Sequence, residues 1–362
     1  MKKHIAILAG DGIGPEIMAS AIEVLEAVKQ KFSLEISYSE ALIGGAAYDK
    51  FETHLPEKTI AVCESADAIL FGSVGGPVAE QSNPKWNNCE ANALLGLRKR
   101  FDFSINYRPA KVYPALSTLC PLRPDITAGG IDLLIIRELV GGIYFGKHSR
   151  FEEEGTRVAT DECRYDEEQI QIAVSKGFES AMLRNKNLVS VDKANVLATS
   201  KLWREVVEAT AKDYPEVAWQ HMLVDNAVMQ IIKNPGQFDV IVTSNMFGDI
   251  LSDAAAVLPG SLGLTPSASV APNGFAMYEP SGGSAPDIAG KNIANPTAQI
   301  LSLAMLLRFS FGLTEEANCI EQAVETIIKE GYRTIDLVPT NETHQSTSQW
   351  TKLIVDKISN KS

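Results

Sequence analysis

The sequence predicts an α/β fold in which a sheet lies buried between layers of helix. Three observations carry this. Short β-rich runs alternate with helical patterns through most of the 362 residues. Several of those runs are apolar at consecutive positions, the pattern of strands covered on both faces. The segments between them repeat their apolar residues at helical spacing. A content of 45% hydrophobic and 22% charged residues is ordinary for a globular chain with sizeable cores. The length allows two or three average domains, or two intertwined lobes.

Taken in order, the first element is a strand over 4–8, where IAILA follows Met1-Lys2-Lys3-His4. That apolar run is too short for the core of a signal peptide and ends at Gly10-Asp11-Gly12. A helix over 15–31 follows, with Pro15 in its first turn and Ile17, Ala21, Ile22, Leu25 and Val28 on one face. Further strands are expected over 67–74, 132–136, 188–191 and 239–243. Further helices are expected over 167–184, 200–212, 225–233, 247–258, 297–311 and 315–330, the last closed by Gly331. The apolar stretch 294–311 contains Asn295, Pro296, Gln299 and Arg308, which marks a buried helix rather than a membrane span. Two stretches break the rhythm. Residues 146–165 are charged and non-periodic, as in a long loop or protruding arm. Residues 271–290 are rich in Gly, Pro, Ser and Ala, and long structured loops of that kind often carry function. There is no internal repeat.

A net charge of −12 argues against nucleic acid or an anionic membrane as partner. An anionic substrate would need its own cluster of cations. Five widely spaced cysteines with no CxxC pair suit a reducing, cytoplasmic compartment, with small buried thiols as the expected state.

Candidate chemistry is spread along the chain. The cluster Gly10-Asp11-Gly12-Ile13-Gly14-Pro15 imitates a dinucleotide-binding fingerprint, but Pro15 stands where that motif needs glycine or alanine. A tight strand-to-helix turn explains it equally well. Arg98 and Arg108 lie among apolar residues, and Arg137 ends an apolar strand. Each alone reads as a surface ion pair; together, in an acidic protein, they form the cation set a dicarboxylate requires. Tyr144 lies just beyond the same strand, between glycines, as a site group or a packing residue. Lys193 follows another strand beside Asp192, as a site group or a surface pair.

The carboxylates are more specific. Asp249 and Asp253 are four apart in a predicted helix, hence on one face about one turn apart. Two like charges so placed repel, and a divalent cation bound through oxygen, Mg²⁺ or Mn²⁺, removes the penalty. Asp225, at the start of another helix, is a candidate third ligand or a simple helix N-terminal charge. In the late loop, Ser284 and the adjoining glycines suit close approach to a pyrophosphate. Asp287 suits ribose hydroxyls and would repel a 2′-phosphate, favouring NAD over NADP.

These residues and their surroundings resemble the isocitrate/isopropylmalate family of β-decarboxylating dehydrogenases. The resemblance covers nearly the whole chain in order: GDGIGPE at 10–16, YRPAKVYP at 107–114, RELVGGIYFG at 137–146, VDKANVL at 191–197, NMFGDILSD at 245–253 and GGSAPDIAGKNIANP at 282–296. It implies a two-lobed fold with a mixed sheet, distinct from the Rossmann fold. Residues 1–103 with 260–362 would form the cofactor-side lobe, and 104–259 a dimerisation and metal/substrate lobe. The site would lie in the cleft between them, and an arm near 147–165 would reach the other subunit of a homodimer with shared sites. Arg98, Arg108 and Arg137 would clamp the substrate carboxylates. Asp249 and Asp253 would hold the metal, with Asp225 and Lys193 contributed by the partner subunit and Asp225 also touching substrate. Lys193 would take the hydroxyl proton through a water, and Tyr144 would protonate the enol carbon. Gly283, Ser284, Ala285, Asp287, Ile288 and Asn295 would line the cofactor.

Within the family, Leu94 and Leu95 stand where isocitrate enzymes carry hydrogen-bonding residues for a third carboxylate. A carboxylate set against two leucines is heavily penalised, whereas an isopropyl group buried there gains roughly 1–3 kcal/mol. The expected reaction is therefore NAD-dependent oxidative decarboxylation of 3-isopropylmalate to 2-oxoisocaproate and CO₂, in leucine biosynthesis. D-malate, tartrate or homoisocitrate oxidation is the nearest alternative, and a non-catalytic regulatory subunit a more distant one. Two departures stand out. Many relatives have histidine where this chain has Gly282. The glutamate they use near the nicotinamide falls at Ala91, with Glu90 one residue earlier.

Overall fold

The structure is a computed structural model, and it describes residues 2–338 and 343–359. Along the chain the elements are β1 (Lys3–Gly10), α1 (Gly14–Phe32), β2 (Ile36–Glu40), α2 (Gly45–Phe51), α3 (Glu57–Glu64), β3 (Ala68–Ser73) and α4 (Gly96–Arg100). There follow β4 (Ile105–Val112), α5 (Pro124–Thr127), β5 (Ile131–Glu138), β6 (His148–Glu153), β7 (Thr156–Asp161), α6 (Glu167–Met182) and β8 (Asn187–Asp192). Next come α7 (Ala198–Thr210), β9 (Ala218–Leu223), α8 (Val224–Lys233), β10 (Val240–Thr243) and α9 (Asn245–Ala256). The last are β11 (Pro266–Val270), β12 (Ala276–Pro280), α10 (Thr297–Phe309), α11 (Thr314–Lys329) and α12 (Thr347–Ile358). The chain divides into two compact units. One comprises Met1–Phe101, Tyr113–Leu119 and Pro259–Ser362; the other comprises Asp102–Val112 and Cys120–Leu258.

In the first unit the strand order is β2-β1-β3-β12-β11. β1 pairs parallel with β2 and β3, β12 parallel with β3, and β11 antiparallel with β12. The apolar stretch at 297–307 is buried along its whole length, and α10 packs on β12 and β11 while α1 and α11 pack on it. A helix surrounded in this way needs no polar face. Among the described residues no helix is long and apolar enough to cross a membrane.

In the second unit the order is β4-β5-β10-β8-β9, with β4 antiparallel to β5 and the others parallel. Strand side chains alternate between the faces. Leu134, Ile136, Leu188, Val240 and Val242 therefore pack with Ala173, Phe178 and Trp203 of α6 and α7. Leu133, Ile135, Val189, Val191 and Ile241 pack instead with Ala227, Ile231, Leu251 and Ala255 of α8 and α9. Both faces are covered, as the unbroken apolar runs predicted. Each unit carries an antiparallel member, so neither is the parallel sheet of a Rossmann fold.

Three expectations need correction. The stretch 146–165 is not an irregular loop, because β6 and β7 form an antiparallel hairpin. Glu154 and Gly155 join the strands with φ of 49° and 75°, as a two-residue hairpin turn with both φ positive requires. The stretch 271–290 is not all loop, since β12 runs through it. The cysteines are all free, and Cys63, Cys89 and Cys120 are buried as expected, but Cys163 is exposed and Cys319 half-buried.

Candidate active site

In the second unit, parallel strands deliver polar residues at their C-terminal ends. Arg137 leaves the end of β5 and is buried. Its Nε and Nη2 both donate to Asn245 Oδ1, at 3.1 and 2.9 Å, and Nη1 pairs with Asp249. Gly248 makes this possible: a Cβ there would lie 2.7 Å or less from both Cγ and Cβ of Arg137. Arg108, on the neighbouring β4, donates from Nε to Asn106 Oδ1 at 2.6 Å. Asp249 and Asp253 lie one turn apart on α9. The Tyr144 hydroxyl donates to Asp249 Oδ2 at 3.0 Å. Partial burial of the phenol, then this bond to the Asp249 carboxylate, raises the Tyr144 pKa above its ordinary value.

Lys193 and Asp225 make a second group. Asp192, at the end of β8, is buried; it accepts from Ala194 N at 2.8 Å and from Arg204 Nε at 2.7 Å. Lys193 N donates to Ser200 Oγ at 3.1 Å, and Lys193 Nζ pairs with Asp225 in the first turn of α8. So the turn after β8 is fixed by Asp192 and Ser200, and Lys193 pairs with Asp225, not Asp192. The Lys193 ammonium holds the Asp225 carboxyl below the usual carboxylate range.

The first unit builds the late loop onto the early one. Ile13 N donates to Ser284 O at 2.8 Å. Gly12 has φ +60°, and a Cβ there would lie 2.0 Å from that same carbonyl oxygen. The early glycines thus form a strand-to-helix turn that seats the loop 282–288. Asp11 is buried and accepts from the backbone N–H groups of Gly45, Ala46 and Gly75 at 2.8, 2.8 and 3.1 Å. A Cβ at Gly75 would lie 3.2 Å from Glu90 Oε1 and 3.7 Å from Ser284 Oγ, so Glu90 and Ser284 both border that glycine. Ala285 holds φ 37°, and its carbonyl accepts from Ile288 N at 3.1 Å. Gly283 and Asp287 are exposed. Asn295 accepts from Thr297 N at the start of α10 and donates to Asp336, both at 3.0 Å.

Leu94 and Leu95 lie in a single π-turn, Ala91–Leu95, that runs into α4. Leu94 is half-buried and Leu95 exposed. Arg98, one turn on, pairs with the buried Glu279 at 3.1 Å and leaves its Nε buried with no protein partner. A buried guanidinium N–H without an acceptor fits an incoming anion.

Sequence reasoning passed over Glu279, Asp11, Asn106 and Asn245. Glu279 had a signal, an acid closing the apolar run AMY before a proline. Among the described residues no three His, Cys, Asp or Glu side chains gather as a metal-binding set. Asp249 and Asp253 nonetheless fit Mg²⁺ or Mn²⁺, because Mg²⁺ commonly takes one or two carboxylates and fills its shell with water. The unobstructed Cβ direction of Gly283, beside Ser284, fits a cofactor phosphate in the same sense.

The model of the isocitrate/isopropylmalate dehydrogenase family matches residues 4–354. The chain belongs to that family. A 3-isopropylmalate dehydrogenase of Yersinia pestis is 53% identical over 359 residues, covering 98% of this chain and 99% of that protein. One from Halalkalibacterium halodurans is 50% identical over 364 residues, covering 99% and 98%. Among solved structures, the isocitrate dehydrogenase of Methylococcus capsulatus superposes with a TM-score of 0.82 at 32% identity, covering 99% of this chain and all of that one. A β-decarboxylating dehydrogenase of Thermococcus kodakarensis gives 0.82 at 31%, covering 99% and 97%. Membership accounts for the mixed sheet and for the order of polar strand ends. At Gly282 the nearest atom to a Cβ would be 3.9 Å away, so the position has room for a larger side chain.

Proposed function

We propose that the protein oxidises and decarboxylates 3-isopropylmalate with NAD in leucine biosynthesis, as a cytoplasmic homodimer that needs Mg²⁺ or Mn²⁺. The observation that carries this reading is the Leu94–Leu95 pair one helical turn before Arg98. An apolar pair beside a cation suits a diacid with a branched alkyl group and penalises a third carboxylate. The relatives that are about half identical in sequence bear the same activity in their names. Five unpaired cysteines support a reducing compartment. The arm supports a dimer: both its strands are exposed almost throughout, and a two-stranded hairpin alone is marginally stable in water.

Arg137, Arg108 and Arg98 bind and orient the substrate carboxylates. Asp249 and Asp253 would hold the divalent ion, with Asp225 of the second copy as a further oxygen donor. When bound, that ion supplies Lewis-acid polarisation of the hydroxyl and of the forming ketone, and NAD supplies the hydride acceptor. Lys193 takes the hydroxyl proton through a water once Asp225 no longer holds its ammonium form. The carbon–carboxylate bond breaks to release CO₂, and Tyr144 donates its phenolic proton to the carbon left behind. Asp287 would accept from the ribose hydroxyls of NAD.

Steady-state kcat/KM for 3-isopropylmalate, D-malate, tartrate, homoisocitrate and isocitrate, each with NAD and NADP in the presence of Mn²⁺, tests the reading. Preference for 3-isopropylmalate and NAD is expected. Preference for D-malate overturns it, and no NADH from any acid would point to a non-catalytic subunit.

A further inference from the structure

We propose that Tyr165, at the base of the β6–β7 arm, acts with Glu138 and Asn245 as a positioning group that locks Arg137 and the turn bearing Tyr144. The proposal rests on the roles given above to those two residues. Glu138 follows Arg137 at the end of β5 and is completely buried. Its carboxylate accepts from Val140 N at 2.6 Å, from Gly141 N at 2.9 Å and from the Tyr165 hydroxyl at 2.9 Å. The same hydroxyl accepts from Asn245 N, the first residue of α9, at 2.9 Å. Asn245 closes the circuit. Its Oδ1 receives the Arg137 Nε and Nη2 bonds, and its Nδ2 donates to Gly141 O at 3.2 Å.

One phenol, used as donor and acceptor at once, therefore ties the end of β5 to the start of α9. The two ends hold Arg137 and Asp249. The ring also shapes the turn. A Cβ at Gly141 would lie 2.4 Å from Tyr165 Cε1, and one at Gly142, where φ is +78°, would lie 2.6 Å from its hydroxyl oxygen. Gly142 N further donates to Arg164 O at 2.9 Å. The paired glycines before Tyr144 are thus the imprint of Tyr165, and the base of the arm fixes where that turn lies. Burial raises the pKa of Tyr165, which keeps the phenol protonated and able to donate.

Removing the hydroxyl while keeping the ring isolates this function. In Tyr165→Phe, kcat/KM for 3-isopropylmalate is expected to fall by about 10–100-fold, since small misplacements of catalytic groups carry costs of that order. The fall should appear in both kcat and KM for the acid, with KM for NAD unchanged. Glu138→Gln keeps one acceptor oxygen for the turn and should shift the same two constants by less. If Tyr165→Phe does not fold, Glu138→Gln decides. Unchanged kcat and KM for the acid in the folded variants overturns the proposal. So does a fall in kcat alone that matches a reduced folded fraction. Tyr144→Phe separates the underlying reading: full activity there removes the assigned role of Tyr144. Inactive Tyr144→Phe beside normal Tyr165→Phe removes only the positioning role.

Discussion

Lys193→Met is expected to lower kcat by about 10²–10⁴, the usual contribution of a positioned proton acceptor, with folding intact. The side chain is partly exposed and its ammonium pairs with Asp225, so little stability depends on it. The sharper consequence concerns assembly. Within one chain, Lys193 pairs with Asp225, while Tyr144 and Arg137 gather around Asp249. In the proposed homodimer with shared sites, each site takes one group from each copy. Lys193→Met and Asp253→Asn then impair different halves of every site. A heterodimer of the two variants has one site carrying both defects and one site carrying neither. Such heterodimers, purified through two different tags, should show about half the wild-type kcat, and a fully exchanged equal mixture about a quarter. If purified heterodimers stay at the level of the parents, both groups belong to one chain's site and the shared arrangement is wrong.

The parts of the fold legible in the sequence are those whose burial is symmetric. β5, β8 and β10 are covered on both faces, so their sequences are apolar throughout and stand out without knowledge of the partners. β4 was hidden because INYRPAKV mixes Arg108, Pro109 and Lys111 into an antiparallel strand. Proline removes a ladder donor, and the charges leave no regular alternation to find. β11, PSASV, is buried through small residues, which carry almost no hydrophobic signal. Two other elements were signalled more plainly than they were read. Glu154-Gly155 between matched runs is a hairpin turn, and Ser346 with Gln349 forms the capping box that opens α12. At the candidate site, charged residues at strand ends were visible because an ion there demands a partner. Asn245, Glu138 and Tyr165 were not, because neutral hydrogen-bond partners and a buried acid satisfied by backbone are known only once the turn is built.

The apolar pair offers the second large effect. In the double variant Leu94→Ser, Leu95→Ser, kcat/KM for 3-isopropylmalate is expected to fall roughly 10–200-fold, the range that follows from losing 1–3 kcal/mol of alkyl burial. The two side chains lie in one π-turn, a distortion often found at functional sites, and Leu95 is 49% exposed. A core leucine would be closed off, so its removal would cost stability and affect every substrate alike. Arg98 follows three residues after Leu95 and four after Leu94, which puts an apolar surface and a cation on the same helical face. In the proposed site the arginine would serve any member of the diacid class, and the leucines only one with an alkyl branch. D-malate has no such branch, so its kcat/KM should change far less in the same variant. The ratio between the two acids is therefore the decisive quantity, because a general loss of folded enzyme cancels from it. An equal fall for both acids would make the pair structural and return the choice of substrate to residues elsewhere.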